Sequence, residues 1–304
     1  MREKNLNQAI NHYLILKKNL SKLYIYMTTL TNKGRKQNII DYIGNKYDET
    51  KIIKDIIDWN KYDVIIEPFC GSFGFSRYIV WNNMADLNKK KFIFMDINKD
   101  LINFYNEIKK MKINEIKEII DKYNEFVDFV YEKFKCNHQN NYIYLDRKKV
   151  DKYISGMKDT FFKKIIIYNY STSGFCRIVR KKNIFDSINM IRHKNVMFVC
   201  DSYLNIDKHL PKNGKVLMYL DPPYYNSSVN KTAYDVDVSD LYEIFKKINE
   251  DLNDKRKYDS ILVHKGDILM ELLWDKHKKF EFNKTYQITK KKVKHIVFGN
   301  FLKK

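Results

Sequence analysis

Four consecutive residues, Asp221-Pro222-Pro223-Tyr224, carry the sharpest chemical signal in the chain. They follow a β-prone run from Val216 to Leu220, which sets the Asp221 carboxylate at the carboxyl end of a strand. In open α/β sheets, ligands bind beyond that end of the strands. The two prolines fix the chain after Asp221 and remove two backbone donors. A turn held this rigidly can set the carboxylate beside the Pro222 carbonyl, so that the two accept the hydrogens of one NH2 group. Such acceptance orients the nitrogen lone pair toward an electrophilic methyl. Tyr224 adds a flat face suited to a base extruded from a nucleic-acid stack. The chain has 4 prolines, and half of them stand here, which argues against an incidental turn.

Upstream, Glu67-Pro68-Phe69-Cys70-Gly71-Ser72-Phe73-Gly74 lies between a β-prone run and a helical stretch. Glycines at such a turn let the backbone approach a bound ligand closely. By itself the turn also suits a dinucleotide. Asp96 closes the next strand, where an acid can bind both ribose hydroxyls of an adenosine cofactor. Asp201 closes the third and is placed to contact the cofactor's adenine. Both acids have a structural alternative, because strand-end Asp residues also cap helices.

The elements that must position these groups are legible as short apolar runs. Tyr62–Ile66, Phe92–Met95, Val196–Cys200, Val216–Leu220 and Ser260–Val263 read as buried parallel strands. Helical stretches follow several of them, as at 98–110 and 239–252, which argues a doubly wound α/β sheet. The runs near 282–288 and 293–301 have no helix between them and read as a terminal antiparallel hairpin. The stretch from 100 to 195 exceeds what a crossover needs and has helical periodicity at 111–134, so it reads as an inserted subdomain. Residues 1–38 read as a basic helical extension, with Leu6, Ile10, Tyr13, Leu14 and Leu20 on one face. The expected organisation is therefore an extension over 1–38, a catalytic domain over 39–100 and 195–304, and an insertion over 101–194.

Composition narrows the partners. The 304 residues are 44% apolar, enough for a full core, and aromatics reach 15% with 23 Tyr and 19 Phe, leaving rings for base stacking. The formal net charge of +20 suits a polyanion, although an AT-rich genome also enriches Lys, Asn and Ile. Cys70, Cys136, Cys176 and Cys200 form no CxxC pair, so neither a zinc site nor a disulfide framework is expected. There is no signal-peptide pattern and no apolar run long enough for a membrane span. The expectation is an intracellular protein without a metal or a membrane partner.

In chain order, Tyr42-Ile43-Gly44-Asn45-Lys46, Glu67-Pro68-Phe69-Cys70-Gly71-Ser72, Asp96 and Asp221-Pro222-Pro223-Tyr224 resemble the Dam-like (alpha-group) adenine-specific DNA methyltransferases. The resemblance implies a seven-stranded Rossmann-like methyltransferase sheet with an inserted helical target-recognition subdomain. It implies transfer of a methyl group from S-adenosylmethionine to the exocyclic amino group of adenine in double-stranded DNA. Tyr42 then stands beside the cofactor, Lys46 near both cofactor and active site, and Phe69 and Gly71 in the cofactor loop. Asp96 matches the ribose-binding acid and Asp201 the acid that contacts the cofactor's adenine. Asp221, with Pro222 and Pro223, matches the acceptor of the target amino group, and Tyr224 the stacking ring.

The segment Ser171-Thr172-Ser173-Gly174-Phe175-Cys176-Arg177 resembles that family's recognition hairpin. Arg177 is the candidate base reader, since Arg bonds bidentately to guanine. Arg180, Lys181 and Lys182 are candidate phosphate contacts. Two departures stand out. Phe73 occupies a position where a second glycine is common, which is expected to narrow the cofactor pocket. Ser173 stands where Asn is usual, which leaves the DNA sequence read by the hairpin open. Three other readings share much of this pattern: methylation of adenine in RNA, methylation of the cytosine amino group, and a catalytically silent nucleic-acid-binding protein.

Overall fold

The computed structural model describes residues 38–40, 46–137, 143–170, 185–224, 238–254, 258–266, 268–285 and 292–302. Residues 38–304 form one compact unit. The helical extension expected over 1–38 lies, up to residue 37, outside the described residues.

A seven-stranded sheet organises the molecule, in the order β5-β2-β1-β6-β7-β9-β8. Its strands are β1 (Val64–Glu67), β2 (Lys91–Asp96), β5 (Val196–Cys200), β6 (Val216–Leu220), β7 (Asp259–Lys265), β8 (Lys279–Thr285) and β9 (Lys292–Gly299). Two further strands, β3 (Lys135–Asn137) and β4 (Ile143–Leu145), pair antiparallel in a separate small hairpin. The first five strands of the large sheet run parallel, and β9 runs antiparallel to both β7 and β8. This is the mixed sheet with a terminal hairpin that the apolar runs predict. β7 runs past Val263 through His264 to Lys265, and β1 begins two residues after Tyr62, behind a 3₁₀ turn at Trp59–Lys61.

The parallel strands are apolar because helices cover both faces of the sheet. Side chains alternate between the faces along each strand. Ile65, Phe92, Phe94, Leu217, Tyr219 and Val263 enter one core, and Val64, Ile66, Ile93, Met95, Met218 and Leu220 enter the other. Among the described residues the helices are α1 (Tyr47–Ile53), α2 (Gly74–Trp81), α3 (Lys99–Lys110), α4 (Ile113–Lys133), α5 (Arg147–Ser155), α6 (Phe161–Tyr170), α7 (Phe185–Arg192), α8 (Val238–Asn253) and α9 (Ile268–Leu273). The first core is shared with α2, α3 and α4, the second with α8 and α9.

Local sequence sets these helices. Asn98 caps α3 by accepting from Leu101 N at 3.0 Å, and Leu101, Ile102, Tyr105 and Ile108 fall on its buried face. Between β2 and β5 the chain forms α3 to α7 and the β3–β4 hairpin. Ile116, Ile120, Tyr123, Val127 and Val130 of α4 sit in the same core as the sheet residues.

Topology gathers the chemistry at one edge. The carboxyl ends of the parallel strands all lie there. Because β8 is antiparallel to β9, its carboxyl end points the same way as that of β7.

Candidate active site

Lys46 meets Asp221 at the carboxyl end of β6, with Nζ 2.6 Å from Oδ2. Lys46 directly precedes α1, where its carbonyl accepts from Thr50 N at 3.0 Å and Thr50 Oγ1 at 2.7 Å. Those bonds fix the start of α1 and so the origin of the long side chain. The pair is largely withdrawn from water, the two side chains being 6% and 17% exposed. Burial pushes the Asp221 carboxyl up to about 6, with Lys46 pulling against it. Burial opposes the Lys46 charge too, yet Asp221, Tyr224 and Glu49 hold the ammonium well above its ordinary value. Pro222 is buried and Pro223 half-buried, which anchors the turn.

Tyr224 completes the group. Lys46 Nζ lies 5.2 Å from its ring centroid, and the His264 and Tyr224 ring centroids are 4.6 Å apart in an edge-on arrangement tilted by 65°. His264 is fully buried, and its Nδ1 lies 2.8 Å from the Lys265 carbonyl. The tyrosine is thus supported on one side by an imidazole edge that holds the ring's orientation.

The loop after β1 is strapped to β2. Cys70 N donates to Met95 O at 2.9 Å, Gly71 N donates to Asp96 Oδ2 at 3.0 Å, and Tyr105 Oη donates to Gly71 O at 2.8 Å. Gly71 has φ 44, a left-handed backbone that glycine adopts without strain. Phe69 packs against Tyr203 with ring centroids 5.2 Å apart. Phe73 corrects the expectation of a narrowed pocket. Its backbone is also left-handed, but its ring is fully buried and stacks on Phe94 with centroids 4.9 Å apart. The bulk that replaces a glycine therefore points into the core under the loop.

Asp96 and Asp201 share the position their strand ends predict but not the same surroundings. Asp96 lies opposite Cys200 in the β2–β5 register, which brings both acids to neighbouring strand ends. Each Asp96 oxygen accepts one backbone N–H, from Gly71 and from Asn98, both at 3.0 Å. Burial pushes its carboxyl up against those bonds. Asp201 accepts from Ser202 N and Asn205 Nδ2, both at 2.8 Å, and its Oδ2 lies 2.7 Å from His209 Nε2. The His209 and Asn205 bonds hold its carboxyl down at about 2. Asp201 therefore works hard for the local 3₁₀ turn at Tyr203–His209.

Several groups at this edge are given no role by the motif reading. Glu67 ends β1 fully inside the protein, 3% exposed, and accepts from Ser76 N at 2.7 Å in the first turn of α2. Burial pushes its carboxyl up to about 7. Glu49 of α1 pairs with Lys284 of β8 at 2.5 Å. His295 of β9 is buried and stacks on Phe282, and burial together with the charges of Lys46 and Lys284 lowers it to about 3, so it is neutral. Glu67 was legible as part of the glycine-turn motif. Glu49, Lys284, His264 and His295 carry no local signal, because strand pairing and helix docking alone bring them together.

Tyr42, Arg177, Arg180, Lys181 and Lys182 lie outside the described residues. Among the described residues, no cluster of His, Cys, Asp and Glu could hold a metal ion, and no helix is long and apolar enough to cross a membrane. The chain matches no curated protein. Residues 42–295 match the family model of the D12 class N6 adenine-specific DNA methyltransferases.

Proposed function

The chain belongs to the D12 class N6 adenine-specific DNA methyltransferase family, and on that premise we propose how its own residues perform the transfer. The family acts on adenine in DNA and uses a methyl donor. We take the donor to be S-adenosylmethionine and the substrate to be duplex DNA. The observation that carries the proposal is the convergence of Lys46, Asp221 and Tyr224 at the sheet edge that also bears Asp96 and the Gly71 loop.

The donor groups suit an adenosyl cofactor. A carboxylate offers about four acceptor positions, and the two backbone donors on Asp96 use two of them, which leaves capacity for ribose hydroxyls. Ser72 Oγ is buried without a hydrogen-bond partner among the described residues, as a polar ligand's site would require. Phe69 offers an apolar wall, and Gly71 a close backbone approach. Tyr42 and Asp201 complete the proposed site, Asp201 only with the acceptor capacity its local bonds leave. When bound, S-adenosylmethionine supplies an electrophilic methyl.

The target adenine is turned out of the duplex at a cost of a few kcal/mol. Tyr224 receives its face. Asp221 and the Pro222 carbonyl accept from the amino group and aim its lone pair, and the Asp221 carboxylate faces the positive charge that develops on nitrogen. Pro223 keeps the turn rigid. For site selection, Arg177 reads a base edge while Arg180, Lys181 and Lys182 hold phosphates, within a target-recognition region between β2 and β5. Transfer of a labelled methyl to unmethylated duplex DNA, followed by nucleoside analysis, tests this. Methyladenine is expected. Labelled RNA with unlabelled DNA, or labelled cytosine, would replace this substrate assignment.

A further inference from the structure

We propose that His264 is a positioning residue for methyl transfer: held in the core by Phe245 and Trp274, it fixes the Tyr224 ring on which the extruded adenine settles. The inference rests on the reading of Tyr224 as the stacking ring.

β7 is apolar through Ile261, Leu262 and Val263, and its next residue, still wholly inside the protein, is an imidazole. A polar ring in such a place needs a hydrogen bond, and Nδ1 has one, 2.8 Å from the Lys265 carbonyl. With a carbonyl as its partner, Nδ1 carries the hydrogen and donates. That bond accounts for a histidine in the core. It does not require the ring to stand against Tyr224.

Core rings set the imidazole's direction. Phe245 of α8 meets it with centroids 6.1 Å apart at 84°, and Trp274, just beyond α9, at 6.1 Å and 66°. Phe245 and Trp274 stand edge-on to one another at 5.6 Å, and Trp274 packs on Phe298 of β9 at 5.4 Å. All three are buried. The imidazole thus has a packed wall of rings behind it and Tyr224 before it, with centroids 4.6 Å apart and a tilt of 65°. An edge-on pair of rings has a preferred geometry, so a fixed imidazole orients the tyrosine.

Tyr224 needs such support for its proposed task. Pro222 and Pro223 fix the backbone that leads to it, but its side-chain torsions can still change rotamer. A ring that receives a base must keep a face uncovered, so its orientation has to be held from elsewhere. Lys46 reaches the ring at 5.2 Å with the end of a long flexible chain, whereas His264 is anchored in the core.

A buried histidine often serves packing alone. Packing acts whether or not Tyr224 is present, whereas bracing acts only through Tyr224, and a double-mutant cycle separates the two. The probe is a duplex that the wild-type protein methylates, with 2-aminopurine in place of the adenine that receives the labelled methyl. Its fluorescence rises when the base leaves the duplex and is quenched when the base stacks on a ring. This signal, steady-state kcat, cofactor affinity by calorimetry and melting temperature are measured for wild type, His264→Leu, His264→Phe, Tyr224→Ala and the pair of His264→Leu with Tyr224→Ala. Tyr224→Ala should brighten the bound probe and lower kcat. His264→Leu should brighten it part of the way and lower kcat by about tenfold, with cofactor affinity within about twofold of wild type. His264→Phe, which keeps a ring at this position, should retain most of both signals. In the pair, His264→Leu should add nothing to the effect of Tyr224→Ala. Additive losses, a lowered melting temperature with unchanged kcat and fluorescence, or His264→Phe no better than His264→Leu would each overturn the proposal. If Tyr224→Ala itself leaves kcat and fluorescence at wild-type values, the stacking-ring reading falls and takes this proposal with it.

Discussion

Phe73 stacks on Phe94 at 4.9 Å and 21°, from a backbone held in the left-handed region. The same residue thus stores local strain and fills the core beneath the Gly71 loop. Phe73→Gly relieves the strain, worth about 1–2 kcal/mol, but forfeits ring burial worth about 3–5 kcal/mol. A net loss of stability is expected in urea denaturation. Cofactor affinity, titrated under native conditions, should stay close to wild type. Markedly tighter binding would mean that the ring does obstruct the pocket.

Asp221→Ala should reduce methyl transfer on the order of 100-fold or more, because it removes the proposed acceptor of the target amino group. The far-ultraviolet circular dichroism should be unchanged, as the sheet core does not include this side chain. Near-native turnover would sink the assignment.

Glu67 links the site to pH-dependent stability. Its carboxyl sits at about 7, against an ordinary value of 4.5, chiefly through burial. The folded state therefore binds more protons than the unfolded state between those values. Stability from this group is complete below about 4.5 and declines as pH rises through about 7, by roughly 3 kcal/mol at most. Glu67→Gln keeps an acceptor for Ser76 N and removes the titration. Melting temperatures at acidic and mildly alkaline pH should differ less in the variant than in wild type. An equal difference would show that other groups set the slope.

Arg177→Ala should relax selectivity at one base pair of the target, each lost bidentate contact being worth about 1–3 kcal/mol. Lys181→Ala should weaken binding to all duplexes alike and reduce its salt dependence. Binding to a panel of singly substituted duplexes at several salt concentrations separates the two. Intact selectivity with a reduced salt slope in Arg177→Ala would reassign that residue to the phosphates.

Much of the architecture is readable from local pattern. A strand buried on both faces must be a short continuous apolar run, and Val196–Cys200 and Val216–Leu220 match β5 and β6 residue for residue. The absence of a helix between the last two runs is enough to specify the β8–β9 hairpin. The strand-end positions of Asp96 and Asp221 are legible because each directly closes a short apolar run. Asp201 shows the limit of that rule. Its strand-end position is as expected, but whether such an acid serves a ligand or a turn depends on neighbours such as His209 and Asn205.

By itself, then, the sequence determined the strand and helix pattern, the order of the motifs and the family they belong to, because hydrophobic period and turn chemistry act over a few residues. Only the tertiary structure decided that Phe73 turns into the core, that His264 braces Tyr224, and that Lys284 meets Glu49 beside Lys46 and Asp221. Those relations depend on which strands pair and how α1 docks. They join residues far apart in the chain, and their side-chain directions follow from packing that no local pattern encodes.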